Sequence, residues 1–155
     1  MFPKSHILFG LLFALVILYA FPQTGIIGFF IIFLSSFLID VDHYLTYVQK
    51  KRDWSLKNAY NWHCNLNKKF LSLTRAKRNK TYIALCFLHS IESLIILYFL
   101  GFFVSKYFLY VSLGFAFHLS LDIIGDQFYH DRVDKTSAIY DFFKFKKLKR
   151  LEEVN

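Results

Sequence analysis

Four apolar segments alternate with polar ones along this chain, at residues 7–21, 25–39, 82–104 and 107–121. None shows the two-residue alternation of a half-buried strand, and each is longer than a typical strand, so the pattern predicts helices. Pro22-Gln23-Thr24 separates the first pair, and only Ser105-Lys106 separates the second. The pattern therefore predicts an all-α fold of two helical hairpins, with helices at about 6–21, 25–46, 81–104 and 107–124.

Two polar regions complete the predicted organisation. A basic loop at 49–80 joins the hairpins, and a basic tail occupies 130–155. A chain of 155 residues has room for one domain, so residues 1–155 are expected to form a single helical unit.

The composition indicates that this unit lies in a membrane. The chain is 55% hydrophobic and 21% aromatic, which exceeds the roughly 45–50% apolar content of soluble domains. A perpendicular span needs about 20 apolar residues, a length that the third segment reaches and the other three do not. The shorter segments could cross with snorkelling flanks or enter only partway. We expect a four-helix membrane bundle.

The charges predict how the bundle is oriented. The region between Gln49 and Lys80 holds ten basic residues against the single acid Asp53, and seven more basic residues follow His130. The hairpin tips hold only Lys106. By the positive-inside rule, both termini and the basic loop face the cytoplasm of a multi-pass protein in the inner or plasma membrane. The charge pattern thus favours membrane lipids as partners, and nucleic acid is the weaker alternative.

Histidines and carboxylates gather at the cytoplasmic ends of these helices. The residues of this set are His6, Asp40, Asp42, His43, His89, His118 and Asp122. Such groups are costly in or near an apolar environment, so their presence calls for a functional reason. They are also ligands of hard or borderline divalent metals. Retention of the first segment keeps His6 in the set, because Tyr19-Ala20-Phe21-Pro22 is a poor signal-peptide cleavage site.

Spacing within the set predicts local geometry. His118 and Asp122 are four residues apart and share one face of a helix. Asp40 and His43 also share a face, whereas Asp42 becomes a ligand only if the helix ends there, or else orients a ligand. Glu92, three residues after His89, is a candidate ligand or proton acceptor. Asp126 is kept only as an additional ligand, because Gly125 is expected to end the helix.

Structural interpretations stand beside the metal-site hypothesis. The His118–Asp122 pair could pack the bundle as a paired imidazole and carboxylate. His6 could lie at the interface, and His63 is expected to be a surface residue. Cys64 and Cys86 form no recognised motif and are interpreted as reduced, non-catalytic thiols.

The ordered motifs resemble a known family. They are Ser5-His6-Ile-Leu-Phe-Gly, Leu-Ile-Asp40-Val-Asp42-His43, Leu-His89-Ser90 and His118-Leu-Ser-Leu-Asp122. Together they resemble the YdjM-type family of membrane-bound metal-dependent hydrolases, which is distantly related to the helical fold of zinc-dependent phospholipase C and P1 nuclease. The family commonly carries a His-Arg-Gly-x-Thr run before its His-Ser pair, where this chain has Leu85-Cys86-Phe87-Leu88.

The resemblance implies a hydrolase with zinc as the expected metal. Together with the depth of the site at the lipid headgroups, it suggests a phosphate ester such as a phospholipid as substrate. By position, it assigns metal binding to His6, Asp40, Asp42, His43, His89, His118 and Asp122. A metal would activate water and polarise a phosphoryl oxygen, with Asp40 or Glu92 as the catalytic proton acceptor. The alternative is a non-catalytic membrane protein in which the same residues bind a structural metal or form a polar network. Neither hypothesis specifies the oligomeric state.

Overall fold

Helices make up most of the computed structural model, which describes residues 3–84, 86–130 and 136–153. They are α1 (Pro3–Ala20), α2 (Gly25–Leu38), α3 (Val41–Lys51), α4 (Leu56–Ser72), α5 (Arg75–Arg78), α6 (Ile91–Phe103), α7 (Tyr107–His130) and α8 (Ala138–Phe145). Two-residue strands β1 (Thr81–Tyr82) and β2 (Lys149–Arg150) pair in parallel, and short 3-10 turns lie at Pro22–Thr24 and Leu151–Glu153. The predicted all-α class is confirmed.

The apolar helices pack around α2 and α7. Helix α2 lies against both α1 and α7, and α6 packs on α7. Ala14, Phe29 and Ile32 form the buried centre of this packing. Two helical stretches are long and apolar enough to cross a membrane, Pro22–Lys51 and Tyr107–Phe128, and two shorter apolar helices cover Ser5–Ala20 and Ile91–Phe103.

Glycines bring three of these helices unusually close together. A Cβ added at Gly10 of α1 would lie 1.9 Å from Ser36 Oγ of α2. A Cβ added at Gly114 of α7 would lie 1.9 Å from Ser35 Oγ and 2.6 Å from the Ile32 carbonyl oxygen. Small residues at helix crossings allow such approaches, as they do in membrane bundles. The adjacent serines of α2 thus set its distance from both neighbours.

The predicted helix at 25–46 is interrupted. Helix α2 ends at Leu38, residues 39 and 40 form a turn, and α3 starts at Val41. Across this break the backbone bonds run from Asp42 N to Ile39 O and from His43 N to Asp40 O, which is three-residue rather than four-residue spacing. The tighter turn changes the direction of the side chains on either side of it.

The helix observed within the predicted range 81–104 is also shorter than expected. Residues Thr81 and Tyr82 belong to β1, and helix α6 begins only at Ile91. Ser90 explains the start, because it has an extended backbone and its side chain accepts a hydrogen bond from Ser93 N. His89 therefore lies in the segment that leads into α6, not on a helix.

Two further expectations are corrected. The predicted loop at 49–80 is largely helical, because Ser55 caps the start of α4 by accepting a bond from Asn58 N. Helix α7 continues to His130, so Gly125 does not end it. Within the predicted tail at 130–155, residues 131–135 and 154–155 lie outside the described part, and residues 138–145 form α8.

The carboxyl-terminal segment is attached to the bundle and to α4. The Ile91 amide donates to the Thr136 carbonyl oxygen over 3.0 Å. Further along, Thr81 pairs with Lys149 and Tyr82 with Arg150. Leu151 is buried with residues of α4. These contacts hold α8 beside the segment that carries His89.

Candidate metal centre

Four side chains from three parts of the fold converge at one point. Asp40 comes from the α2–α3 turn, His89 from the segment before α6, and His118 and Asp122 from α7. The His89 and His118 side chains are fully buried, and the Asp122 side chain is 8% exposed. Asp40 is the most accessible of the four, with 28% of its side chain exposed.

The hydrogen bonds of the two histidines fix which nitrogen faces the centre. His118 Nδ1 lies 2.8 Å from the Ser36 carbonyl oxygen, which can only accept, so Nδ1 carries the proton. His89 Nδ1 donates to Asp42 Oδ2 over 3.0 Å. Both rings therefore direct Nε2 inward, and the two Nε2 atoms lie 3.1 Å apart. Two neutral rings held this way aim two lone pairs at one position, an arrangement that a cation or a shared proton stabilises.

The carboxylates complete a set of donor atoms around that position. Asp40 Oδ1 lies 3.3 Å from His89 Nε2 and 3.6 Å from His118 Nε2. Asp122 Oδ2 lies 3.7 Å and 3.5 Å from the same two nitrogens. Donors at zinc-ligand distance on a tetrahedron are separated by about 3.3 Å. These side chains fit a divalent metal.

His6 supports Asp122 from α1. Its Nε2 lies 3.2 Å from Asp122 Oδ1, whereas Oδ2 of the same carboxylate lies near His89 and His118. The ring also stacks on His118, with centroids 4.0 Å apart. His6 is one turn before Gly10, and His118 is one turn after Gly114, so the close helix crossings bring both rings to this depth. His6, His118 and Asp122 form a metal-capable group in their own right.

Asp42 acts on the centre through His89. Its Oδ2 accepts from His89 Nδ1 and, over 3.1 Å, from the Leu88 amide. The break between α2 and α3 explains how Asp40 and Asp42, which point apart on a regular helix, both reach the same imidazole. A carboxylate on the outer nitrogen of a ligating histidine orients the ring and raises its basicity. Asp42 Oδ1 is buried and has no hydrogen-bond partner among the described residues.

His43 and Cys86 form an adjoining cluster. The Cys86 sulfur lies 3.3 Å from His43 Nδ1, and the cysteine is 4% exposed. Together with Asp42 and His89 they offer donor atoms within 4.8 Å of one another. Asp40, His89 and His118 form a further such group among the residues that the structure describes. These buried histidine, aspartate and cysteine side chains can hold a metal ion.

Comparisons with known proteins supply no assignment. No protein-family model, curated protein or solved structure matches this chain. Function is therefore inferred from the side chains themselves.

The seven residues assigned to metal binding by the sequence lie together in the structure. Glu92 has a different environment. Its carboxylate accepts hydrogen bonds from the Ser137 hydroxyl and from the amides of Ala138 and Ile139. Because Ile91 is the first residue of α6, His89 and Glu92 do not share a helical face. In the structure Glu92 caps the amino end of α8, and its role as ligand or proton acceptor stays a prediction.

Sequence reasoning missed two residues near the centre. Cys86, which the sequence predicts to be a non-catalytic thiol, contacts His43, a residue 43 positions away in the chain. Its spacing of three residues from His89 is the one signal that could have drawn attention to it. His63, expected at the surface, is half-buried, and its Nε2 lies 2.9 Å from the His43 carbonyl oxygen. Asp126 is buried one turn beyond Asp122 on the continuing helix α7.

Proposed function

We propose that this protein is a membrane-embedded, zinc-dependent hydrolase that acts on phosphate esters. One observation carries the proposal: the Nε2 atoms of His89 and His118 face each other 3.1 Å apart. The Nδ1 atom of each ring is hydrogen-bonded elsewhere, so both Nε2 atoms are available to a metal. Histidine nitrogen and aspartate oxygen donors are those that zinc takes in catalytic sites. The motif resemblance to YdjM-type hydrolases supports the same chemistry.

The proposed setting is a four-helix membrane bundle built from α1, α2, α6 and α7. Large apolar side chains point away from the packed interior, among them Val16, Ile26, Ile96 and Phe102, which are 60–74% exposed. Water would oppose such a surface, whereas lipid chains would cover it. The basic residues of α4, α5 and the carboxyl-terminal segment favour the inner or plasma membrane, with both termini and the metal centre at the cytoplasmic face.

His89, His118 and Asp122 are the proposed ligands. A divalent metal bound there would lower the pKa of water and polarise a phosphoryl oxygen. His6 holds Asp122, and Asp42 holds His89 in the required tautomer. Asp40 is the proposed proton acceptor, because its carboxylate is the most exposed of the four and lies next to the donors.

A structural metal site is the second candidate, and one observation favours it. If Asp40 is a fourth ligand, the protein itself completes a tetrahedral set, and closed four-ligand sites are typical of structural zinc. The role of Asp40 therefore separates the two functions. A proton shared between the histidines, with no metal, is the third arrangement that the same geometry allows.

Asp40→Asn in zinc-loaded protein tests the proposal. Wild type is expected to contain zinc and to hydrolyse a phosphodiester such as bis-(p-nitrophenyl) phosphate or a phospholipid in vesicles. The variant should keep its zinc, measured by mass spectrometry, and lose about 10²–10⁴-fold in turnover. If the Asp40→Asn variant loses its zinc and wild type shows no hydrolytic activity, the structural site is supported instead. If wild type contains no zinc, the third arrangement is supported, in which His89 and His118 share a proton.

A further inference from the structure

A cavity of about 630 Å³ opens directly beside the metal centre. One face of α3 forms a wall, with Asp42, Leu45, Gln49 and Lys50 recurring at helical spacing. Asp42 belongs to both places, since it lines the cavity and holds His89 by its Oδ2. A ligand in the cavity therefore lies next to the residues that surround the metal position.

Much of the remaining wall is apolar and accessible. Phe87 and Leu88 come from the segment before α6, and Phe142 and Phe145 come from α8. Phe87 is 64% exposed and Phe142 is 43% exposed. Concave sites that combine apolar walls with a few placed polar groups are typical of small-molecule binding.

Cations complete the lining and define what the cavity attracts. Lys146 and Arg150 reach it from the carboxyl-terminal segment, and Lys50 reaches it from α3. Arg150 Nε donates to the Tyr82 hydroxyl over 2.9 Å, which fixes the guanidinium at the wall. The Lys146 ammonium lies 4.3 Å from the centre of the Phe142 ring. Guanidinium and ammonium groups at an apolar wall fit an anionic head on an apolar chain.

Glu152 competes for one of these cations. Its Oε2 lies 3.1 Å from Lys50 Nζ, and its Oε1 lies 3.8 Å from Lys51 Nζ. An arriving anion must share Lys50 with this carboxylate. Removing the Glu152 charge should therefore strengthen anion binding, a result that a purely structural role for the salt bridge would not produce.

We infer that this cavity binds the substrate as an anionic amphiphile, a phosphate group joined to an apolar chain. Lys146 and Arg150 hold the phosphate, and Phe87, Phe142 and Phe145 contact the apolar chain of the ligand. The inference rests on the proposed hydrolase function and narrows its substrate class. It also assigns specificity to the carboxyl-terminal segment, which lies outside the motifs that resemble YdjM-type hydrolases.

The experiment compares two charge-matched double variants in phosphatidylcholine nanodiscs. Lys146→Gln with Arg150→Gln removes two cations that line the cavity. Lys147→Gln with Lys149→Gln removes two cations of the same segment that do not line the cavity. Dodecyl phosphate is titrated and counted by native mass spectrometry, with inorganic phosphate and dodecanol as separate probes. Zinc content is measured in every sample.

Saturable binding of one dodecyl phosphate is expected, weakened about tenfold or more in the first double variant and little changed in the second. Glu152→Gln should tighten binding about two- to fivefold. Inorganic phosphate or dodecanol binding as tightly as dodecyl phosphate would overturn the inference, and so would equal weakening in both double variants. A zinc-free protein that keeps the selective binding would overturn the hydrolase proposal and retain the ligand class.

Discussion

Gly10 of α1 and Ser36 of α2 approach so closely that a methyl group on the glycine would lie 1.9 Å from the serine hydroxyl oxygen. His6 lies one turn before Gly10, and the Ser36 carbonyl oxygen accepts the Nδ1 proton of His118. The helix crossing and the candidate metal centre are therefore parts of one arrangement. A change in the spacing of α1 and α2 should reach both histidines.

Gly10→Ala should destabilise the protein by about 1–3 kcal/mol, because the added methyl group overpacks the crossing. Ser36→Gly removes both atoms that the methyl group would meet. The double variant should therefore lose less stability than the sum of the single variants. Unfolding in nanodiscs, followed by thermal scans, measures this double-mutant cycle. Strict additivity would show that the two residues are not in contact.

His118→Ala should abolish tight metal binding, because it removes a donor atom from the candidate centre. The measurement is zinc content after dialysis against a competing chelator. His63→Ala serves as the matched control, since His63 is absent from the metal-capable groups of described residues. Equal zinc in His118→Ala and wild type would contradict the proposed ligand set.

Asp42→Asn should weaken zinc binding without abolishing it. The carboxylate contacts His89 Nδ1, so its loss relaxes the ring while the inward nitrogen remains. Affinity is expected to fall about 10–100-fold. Competition titrations with a zinc indicator give this number, and comparison with His118→Ala separates an orienting residue from a ligand. A complete loss in both variants would make Asp42 a ligand.

Glu92→Gln should leave zinc content and turnover near wild-type values. The change removes the charge that stabilises the first amides of α8, those of Ala138 and Ile139. Hydrogen exchange at these two amides is therefore expected to accelerate. A loss of turnover with unchanged exchange would instead support the proton-acceptor role that the sequence predicts for Glu92.

The turn between α3 and α4 should loosen in acid. The Tyr47 hydroxyl, the Asn58 side-chain amide and the Ser55 backbone amide all donate to Asp53 and hold its pKa below the ordinary value of 3.8. A lowered folded-state pKa adds stability above the unfolded value, and this is lost as the pH falls through the folded value. The protection of the Ser55 amide against hydrogen exchange, relative to an unfolded chain at the same pH, should therefore fall below about pH 4. Asp53→Asn should remove this pH dependence.

Sequence reasoning could predict the features that depend on local spacing. The four-residue interval places His118 and Asp122 on one face of α7, and their side chains lie 3.5 Å apart. The apolar segments also predicted an all-α fold. Ser55, a cap residue ahead of an amphipathic stretch, carried a signal for α4 that the interpretation as a loop overlooked.

The remaining features depend on tertiary contacts. The turn at residues 39 and 40 lies at the end of an apolar run, with no proline or glycine to mark it. The pairing of β1 with β2 joins residues 81 and 149, which keeps the segment before α6 out of a helix. The roles of Asp42, His89 and Cys86 all follow from these two departures. Intrinsic helix preference was overridden by packing in both cases.

The break between α2 and α3 has a mechanical consequence. Asp40 lies in the break and Asp42 follows it in α3, and the two carboxylates contact opposite nitrogens of the His89 imidazole. The two carboxylates hold the His89 ring between them, so their separation determines where the ring lies. In the proposed membrane setting, a tilt of α2 that follows bilayer thickness, while α3 stays packed on α4, would change the separation of the two carboxylates. Lipid composition would then shift the position of His89, and with it the metal affinity of the proposed centre.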